Sequence, residues 1–79
     1  MYYFVRRIIH TSNGVDKRES PVTQDRSKAI KLFDKNAGTL GKLFEQPGPI
    51  IAKLTLNQSE KLGGEAQWSV LSKIEKVKG

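Results

Sequence analysis

The sequence predicts an α+β fold of order ββαββ, in which a four-stranded antiparallel sheet carries one helix on one face as a two-layer sandwich. One segment alone, residues 25–44, has apolar residues at the spacing of an amphipathic helix. The segments before and after it have the composition or the alternation of β-strands. An Asn-Gly pair separates the first two of these segments, which is typical of a β-hairpin.

The first hairpin is predicted from residues 2–11 and 15–22. Tyr, Phe, Val and Ile are concentrated in the first strand, and apolar residues lie on both of its faces, which favours a central strand. Asn13-Gly14 predicts a type I′ turn, whose two central residues need a positive φ. The second strand is charged and contains Pro21, which cannot donate to a ladder, so this strand is predicted at an edge or ends near the proline.

The predicted helix begins with Thr23 or Asp25 as its N-cap, since either side chain can accept a hydrogen bond from an amide of the first turn. Gly38 and Gly41 each weaken a helix by about 1 kcal/mol relative to Ala, so the helix either ends at Gly38 or continues to Glu45. We favour one long helix because the apolar stripe continues beyond Gly38 and a Pro-Gly-Pro sequence follows. The stripe comprises Ile30, Phe33, Ala37, Leu40 and Phe44.

The second hairpin is predicted from residues 50–57 and 66–77, joined by a loop whose turn is Gly63-Gly64. The side chains expected to face the helix are Ile50, Ala52, Leu54 and Leu56 in the third strand and Trp68, Val70 and Ile74 in the fourth. The pattern leaves two points open: the order of the strands in the sheet, and which face of the first strand is buried.

Composition narrows the classes of function. The chain has 79 residues, which predicts a single domain, residues 1–79, with one small core. There is no cysteine and only one histidine, His10, so we expect no metal site and no cofactor. No paired carboxylates or nucleotide-binding glycine motif are present, so the protein is predicted not to be an enzyme. No apolar run approaches the ~20 residues of a membrane span, and the first residues lack a signal-peptide pattern; we expect a cytoplasmic protein without a membrane partner.

The formal net charge of +6 favours an acidic partner, either nucleic acid or an acidic protein surface. Such a charge also occurs in small lysine-rich proteins for solubility alone. A basic surface is expected on the outer side of the helix, formed by Arg26, Lys28, Lys31, Lys35 and Lys42.

A candidate binding surface is expected on the sheet face opposite the helix, where basic side chains can surround an aromatic ring. Its predicted residues are Tyr3, Arg6, Arg7, Lys53, Gln67, Leu71 and Lys73. The first strand contributes either Arg7 with Tyr3, or Arg6 with Tyr2 and Phe4. Several folds bind single-stranded nucleic acid with such a face. An exposed apolar patch that includes Ile51 and Leu71 is a second prediction, for a protein partner or a homodimer.

The opening YYFVRRIIHTSNG, followed by a polar strand and a lysine-rich helix, resembles small phage or prophage-encoded proteins of unknown function from Gram-positive bacteria. The resemblance covers the first half of the chain. It implies a protein that binds and blocks a host protein or that handles nucleic acid, and it assigns no residue a role.

These observations predict a non-enzymatic binding protein, namely a protein-interaction module or a phage-type modulator of a host factor with a basic and apolar surface. The alternative is a small nucleic-acid-binding module that uses the basic sheet face. The first hypothesis predicts binding that survives loss of four cations. The second predicts steep salt dependence and loss of binding with the same changes. The four cations are Arg6, Arg7, Lys53 and Lys73.

Overall fold

The computed structural model describes residues 1–79. The elements, in chain order, are β1 (Tyr2–Thr11), β2 (Gly14–Glu19), α1 (Arg26–Leu43), β3 (Ile50–Ser59) and β4 (Ser69–Lys78). The strands form one antiparallel sheet in the order β2-β1-β3-β4, and α1 packs on the central strands β1 and β3. The predicted α+β fold of order ββαββ, with one helix on a four-stranded sheet, is confirmed.

The first hairpin forms, but its turn lies one residue earlier than the Asn-Gly pair predicts. Thr11 pairs with Gly14, so Ser12 and Asn13 are the loop residues. Gly14 has a φ of 127°, whereas Asn13 has no positive φ, so the predicted type I′ turn is wrong. The Thr11 hydroxyl accepts a hydrogen bond from the Asn13 amide at 3.2 Å. This local contact stabilises a turn whose two loop residues have negative φ.

β2 is an edge strand, as predicted, and it ends earlier than predicted because Pro21 interrupts the ladder. Just before the proline, the Ser20 amide donates to the Val5 carbonyl and the Ser20 hydroxyl accepts from the Val5 amide, both at 2.9 Å. Beyond the proline, Thr23 resumes pairing with Tyr3 through two backbone hydrogen bonds of 2.7 and 2.9 Å. Ser20 therefore holds the end of β2 against β1 at the point where the proline ends the regular pairing.

The helix is a single continuous element, as favoured from the sequence. Asp25 is its N-cap, and the Asp25 carboxylate accepts a hydrogen bond from the Lys28 amide at 3.1 Å. The helix passes through Gly38 and Gly41 without a break. No helix in this structure combines the length and apolar content that crossing a membrane requires.

The core lies between α1 and the β1–β3 pair. All four residues of β3 predicted to face the helix are buried there. Ile30, predicted in the helix stripe, is instead 38% exposed, and Ala29, one turn before Phe33, takes the buried position at the start of the helix. The buried cluster comprises Tyr3, Val5, Ile9, Ala29, Phe33, Leu40, Ile50, Ala52, Leu54 and Leu56.

β4 contains a bulge, and the side chains that precede the bulge face the opposite side of the sheet from the one that the later alternation predicts. Leu56 pairs with Ser72 but Asn57 pairs with Val70, which leaves Leu71 as the extra residue. Side chains on the two sides of the bulge therefore do not follow one alternation. Leu71 packs against the helix-side core instead of lying exposed on the opposite face, where the sequence placed it.

The inward set predicted for the fourth strand is right at Ile74 and wrong at two positions. Ile74 packs against the core. Val70 is 54% exposed, and Trp68 precedes the strand, half-buried against Phe4. Both errors follow from extending the alternation of Ile74 backward through the bulge.

Candidate functional site

α1 covers one face of the sheet and leaves the other, which we term the open face, available to a partner. Tyr3, Val5 and Ile9 belong to the helix-side core. Because side chains alternate along a strand, the even-numbered residues of β1 lie on the open face. The choice that the sequence left open is thus decided in favour of Arg6 with Tyr2 and Phe4.

The seven predicted surface residues do not form one surface. Tyr3 is buried in the core, and Arg7 lies on the helix side of the sheet. Leu71 packs against the core, and Gln67 lies in the exposed loop before β4. Three of the seven lie together on the open face, namely Arg6, Lys53 and Lys73.

One end of the open face is closed by the segment that precedes β4. The Trp68 ring packs edge-on against Phe4, with centroids 4.7 Å apart and an interplanar angle of 83°. The Arg6 guanidinium lies 5.2 Å from the centre of the Phe4 ring on the same face. Phe4, Thr55 and Asn57 are all buried at this end, and the Asn57 amide donates to the Thr55 hydroxyl at 3.0 Å. The Phe4 ring is therefore not free to stack on a base.

The middle of the open face carries charges of both signs. The ion pairs there are Arg6–Glu19 at 2.7 Å and Lys73–Glu75 at 3.3 Å. Lys17 and Lys53 flank Ile8 in the register, and neither ammonium has a carboxylate within 4 Å. This face carries four cations and two carboxylates, which give it a net charge of +2. The two unpaired cations, Lys17 and Lys53, lie on the two sides of β1 in the same row.

The other end of the open face presents a row of exposed residues, one from each strand. In sheet order these are Val15, His10, Ile51 and Val77. The exposed fractions are 64% for Val15, 46% for Ile51 and 70% for Val77, and His10 is exposed between the first two. We term these four residues the apolar row. Exposed apolar side chains that line up on an uncovered sheet face, here with His10 between Val15 and Ile51, are typical of an interaction surface.

Sequence reasoning found Ile51 but missed Val15 and Val77 as members of this row. Val15 is the only apolar residue of β2, and Val77 lies between lysines at the end of the predicted fourth strand. Each looks isolated in sequence. Only the strand order brings both into line with Ile51. The predicted turn at Asn13-Gly14 would have paired Val15 with Ser12, whereas the observed turn pairs it with His10.

The arrangement around His10 provides no orienting acid. Its direct cross-strand neighbours on the two sides are Val15 and Ile51. No group of three or more His, Cys, Asp or Glu side chains is placed to hold a metal ion. The exposed groups of the open face are thus apolar side chains and charges of both signs, with a net charge of +2.

Fold and face together define a small α+β domain with one helix-covered sheet face and one partly uncovered face. Comparisons with protein-family models, with curated proteins and with solved structures give no match. We therefore infer function from the open face itself, and the resemblance to phage-encoded proteins stays a prediction.

Proposed function

We propose that this protein is a non-enzymatic interaction module that binds an acidic protein partner through the apolar row. The supporting observation is the alignment of Val15, Ile51 and Val77 on an uncovered sheet face. Fully burying a Val or Ile side chain contributes roughly 1.5–3 kcal/mol, so the neighbours Ile51 and Val77, with Val15 beyond His10, supply the centre of a stable contact. A cytoplasmic location and a role as a phage-borne modulator of a host factor are predictions of the sequence that accompany this proposal.

The acidic character of the partner follows from Lys17 and Lys53. These two cations border the apolar row, and neither has a carboxylate within 4 Å; Glu75, directly across from Lys53, pairs with Lys73 instead. Carboxylates on the partner would complement them. Such border charges accelerate association and select partners, whereas the buried apolar centre sets the dissociation rate.

The test compares protein captured from a host lysate by the parent chain and by two variants. Ile51→Asp places a charge in the centre of the apolar row, and its side chain is exposed enough for the fold to tolerate the change. We expect it to weaken binding of the captured partner by about tenfold or more. The matched control, Lys17→Gln with Lys53→Gln, should slow association and flatten its salt dependence while leaving most of the affinity.

The captured protein should be acidic and should depend on Ile51. A partner that Ile51→Asp retains, or one without an acidic surface, contradicts the proposal. Circular dichroism and thermal melting of each variant separate loss of binding from loss of fold.

A homodimer is disfavoured by charge, because a second copy would bring the same net +2 face against the first. Sedimentation equilibrium of the purified protein decides this point. If the protein is a dimer and Ile51→Asp dissociates it, the partner that covers the apolar row is a second copy of the chain and not an acidic protein.

Nucleic acid is the second candidate partner, and the outer side of α1 is the surface that favours it. All five basic residues expected on this side are exposed: Arg26, Lys28, Lys31, Lys35 and Lys42. On the open face, by contrast, the burial of Phe4 disfavours base stacking. Fluorescence anisotropy with labelled single-stranded and duplex oligonucleotides should show micromolar binding that falls log-linearly with salt if this candidate is right. Absence of binding at low salt removes it.

A further inference from the structure

A second feature of the molecule lies on the helix side of the sheet, at the junction of β1 and β2. The Arg7 side chain is only 18% exposed. Its Nε is buried without a hydrogen-bond partner, and no other buried side-chain nitrogen or oxygen in the chain lacks one. Leaving a buried donor unpaired costs about 1–3 kcal/mol, and more when the group is charged, so the Arg7 guanidinium is short of hydrogen-bond acceptors.

The guanidinium of Arg18 lies beside that of Arg7, because the two residues are direct cross-strand partners. Both approach the same carboxylate, that of Asp16, at 3.5 Å from Arg7 Nη2 and 3.4 Å from Arg18 Nε. Charge-assisted hydrogen bonds are shorter, about 2.7–2.9 Å. One loosely placed carboxylate between two guanidiniums leaves an excess positive charge and several unused N–H groups.

A cavity of about 220 Å³ opens against both arginines. The other polar side chains at its wall are already engaged: Ser20 bonds to β1, and the Asn36 amide donates to the Leu32 carbonyl at 2.8 Å. Glu19 borders the cavity, but its carboxylate pairs with Arg6. The free donors at the cavity are thus mainly those of the two arginines, beside the second N–H of the Asn36 amide. A water molecule's share of liquid volume is only about 30 Å³, so the space admits a larger group.

We propose that this cavity binds a small oxyanion, a carboxylate or a phosphate group, between Arg7 and Arg18. The planar fork of a guanidinium matches both groups with two parallel N–H···O bonds. The oxyanion would supply acceptors for the guanidinium N–H groups that Asp16 leaves unused. This site lies on the opposite face of the sheet from the apolar row, so it stands or falls independently of the protein-binding proposal.

The test is a titration of the ¹⁵N-labelled protein with sodium phosphate and, separately, with sodium acetate, against sodium chloride at equal ionic strength. The Nε–Hε resonances of Arg7 and Arg18 should shift saturably with at least one oxyanion. Those of Arg26, an exposed arginine on α1, should follow the chloride control. Saturation by phosphate alone identifies a phosphate site, and saturation by both anions identifies a general oxyanion site.

Arg18→Gln is the variant that tests the assignment, because Arg18 is 73% exposed and its loss leaves the core intact. It should weaken oxyanion binding by about tenfold or more. Arg26→Gln, the matched removal of one positive charge elsewhere, should leave the affinity unchanged. Shifts no larger than those with chloride, or equal affinities in the two variants, would overturn the proposal.

Discussion

Phe33 and Trp68 occupy different environments, although the sequence predicts both in the core. Phe33 is buried between α1 and the sheet. Trp68 lies on the open face, half-buried, and its one aromatic contact is the edge-on packing against Phe4. Their contributions to stability should therefore differ.

Phe33→Ala should lower the free energy of unfolding by about 3–5 kcal/mol, because it leaves a cavity in the only large core of the molecule. Trp68→Ala should lower it by about 1–2 kcal/mol, since a half-buried ring loses part of its burial and one aromatic pair. Urea unfolding followed by circular dichroism measures both. Equal losses would mean that Trp68 belongs to the core after all.

At the level of single residues, the sequence could not decide which face of β1 is buried. Apolar side chains occur at both parities: Tyr2, Phe4 and Ile8 on one, and Tyr3, Val5 and Ile9 on the other. Two consecutive arginines add one cation to each side. A strand with apolar residues on both faces does not indicate which face is buried. The placement of Arg6 and Arg7 therefore depends on tertiary contacts that only the fold defines.

The helix α1 continues through two glycines that no contact requires. A Cβ added at Gly38 or Gly41 would meet no atom within 4 Å, and neither residue has a positive φ. Gly63, in the loop between β3 and β4, differs because its φ is 124°. The same substitution should therefore have opposite effects at the two kinds of position.

Gly38→Ala should raise the free energy of unfolding by about 0.5–1 kcal/mol, because alanine loses less backbone entropy in a helix. Gly63→Ala, the control, should lower it, since alanine is strained at that φ. Thermal melting of the two variants beside the parent checks the pair. Destabilisation by Gly38→Ala would indicate that the helix breaks there in solution.

Element types and most boundaries were predictable because each element has its own local signal. β1 was predicted with the bounds that the structure has, and Asp25 was one of two N-caps considered. The bulge at Leu71 was not predictable, because it depends on pairing with β3 and not on any local residue. The hairpin turn was misplaced by one residue because Asn13-Gly14 also fits a turn in which only the glycine has a positive φ.

The whole molecule is built around its two central strands. β1 and β3 pair along their full ten-residue lengths, and α1 covers both. β2 and β4 lie at the edges, and every residue of β2 is exposed. Stability should accordingly decrease from the centre of the sheet to its edges.

Native-state hydrogen exchange should show the slowest amide exchange in β1 and β3, at rates set by global unfolding. The hydrogen-bonded amides of β2 should exchange fastest among the strands, because little apolar burial opposes local opening there. Two-dimensional NMR after transfer to D₂O measures these rates residue by residue. Uniform protection across all four strands would contradict this order and indicate that the edges are covered in solution.

For the molecule as a whole, the strand order was the decisive information that the sequence did not contain. The apolar row exists only because β2 and β4 lie on the two outer sides of β1 and β3. Loops of similar length permit other orders, and no local pattern in Val15 or Val77 selects among them. The candidate site therefore emerged from topology, whereas the fold class followed from periodicity.

The antiparallel register also decides how the protein should be attached to a surface. Tyr2 pairs with Ser59 and Lys78 pairs with Ile50, so the two chain ends lie at opposite ends of β3, about 30 Å apart. A C-terminal linkage would hold Val77 and its neighbours against the support of a biosensor. An N-terminal linkage orients that end of the sheet toward the solution, where an incoming molecule can reach it.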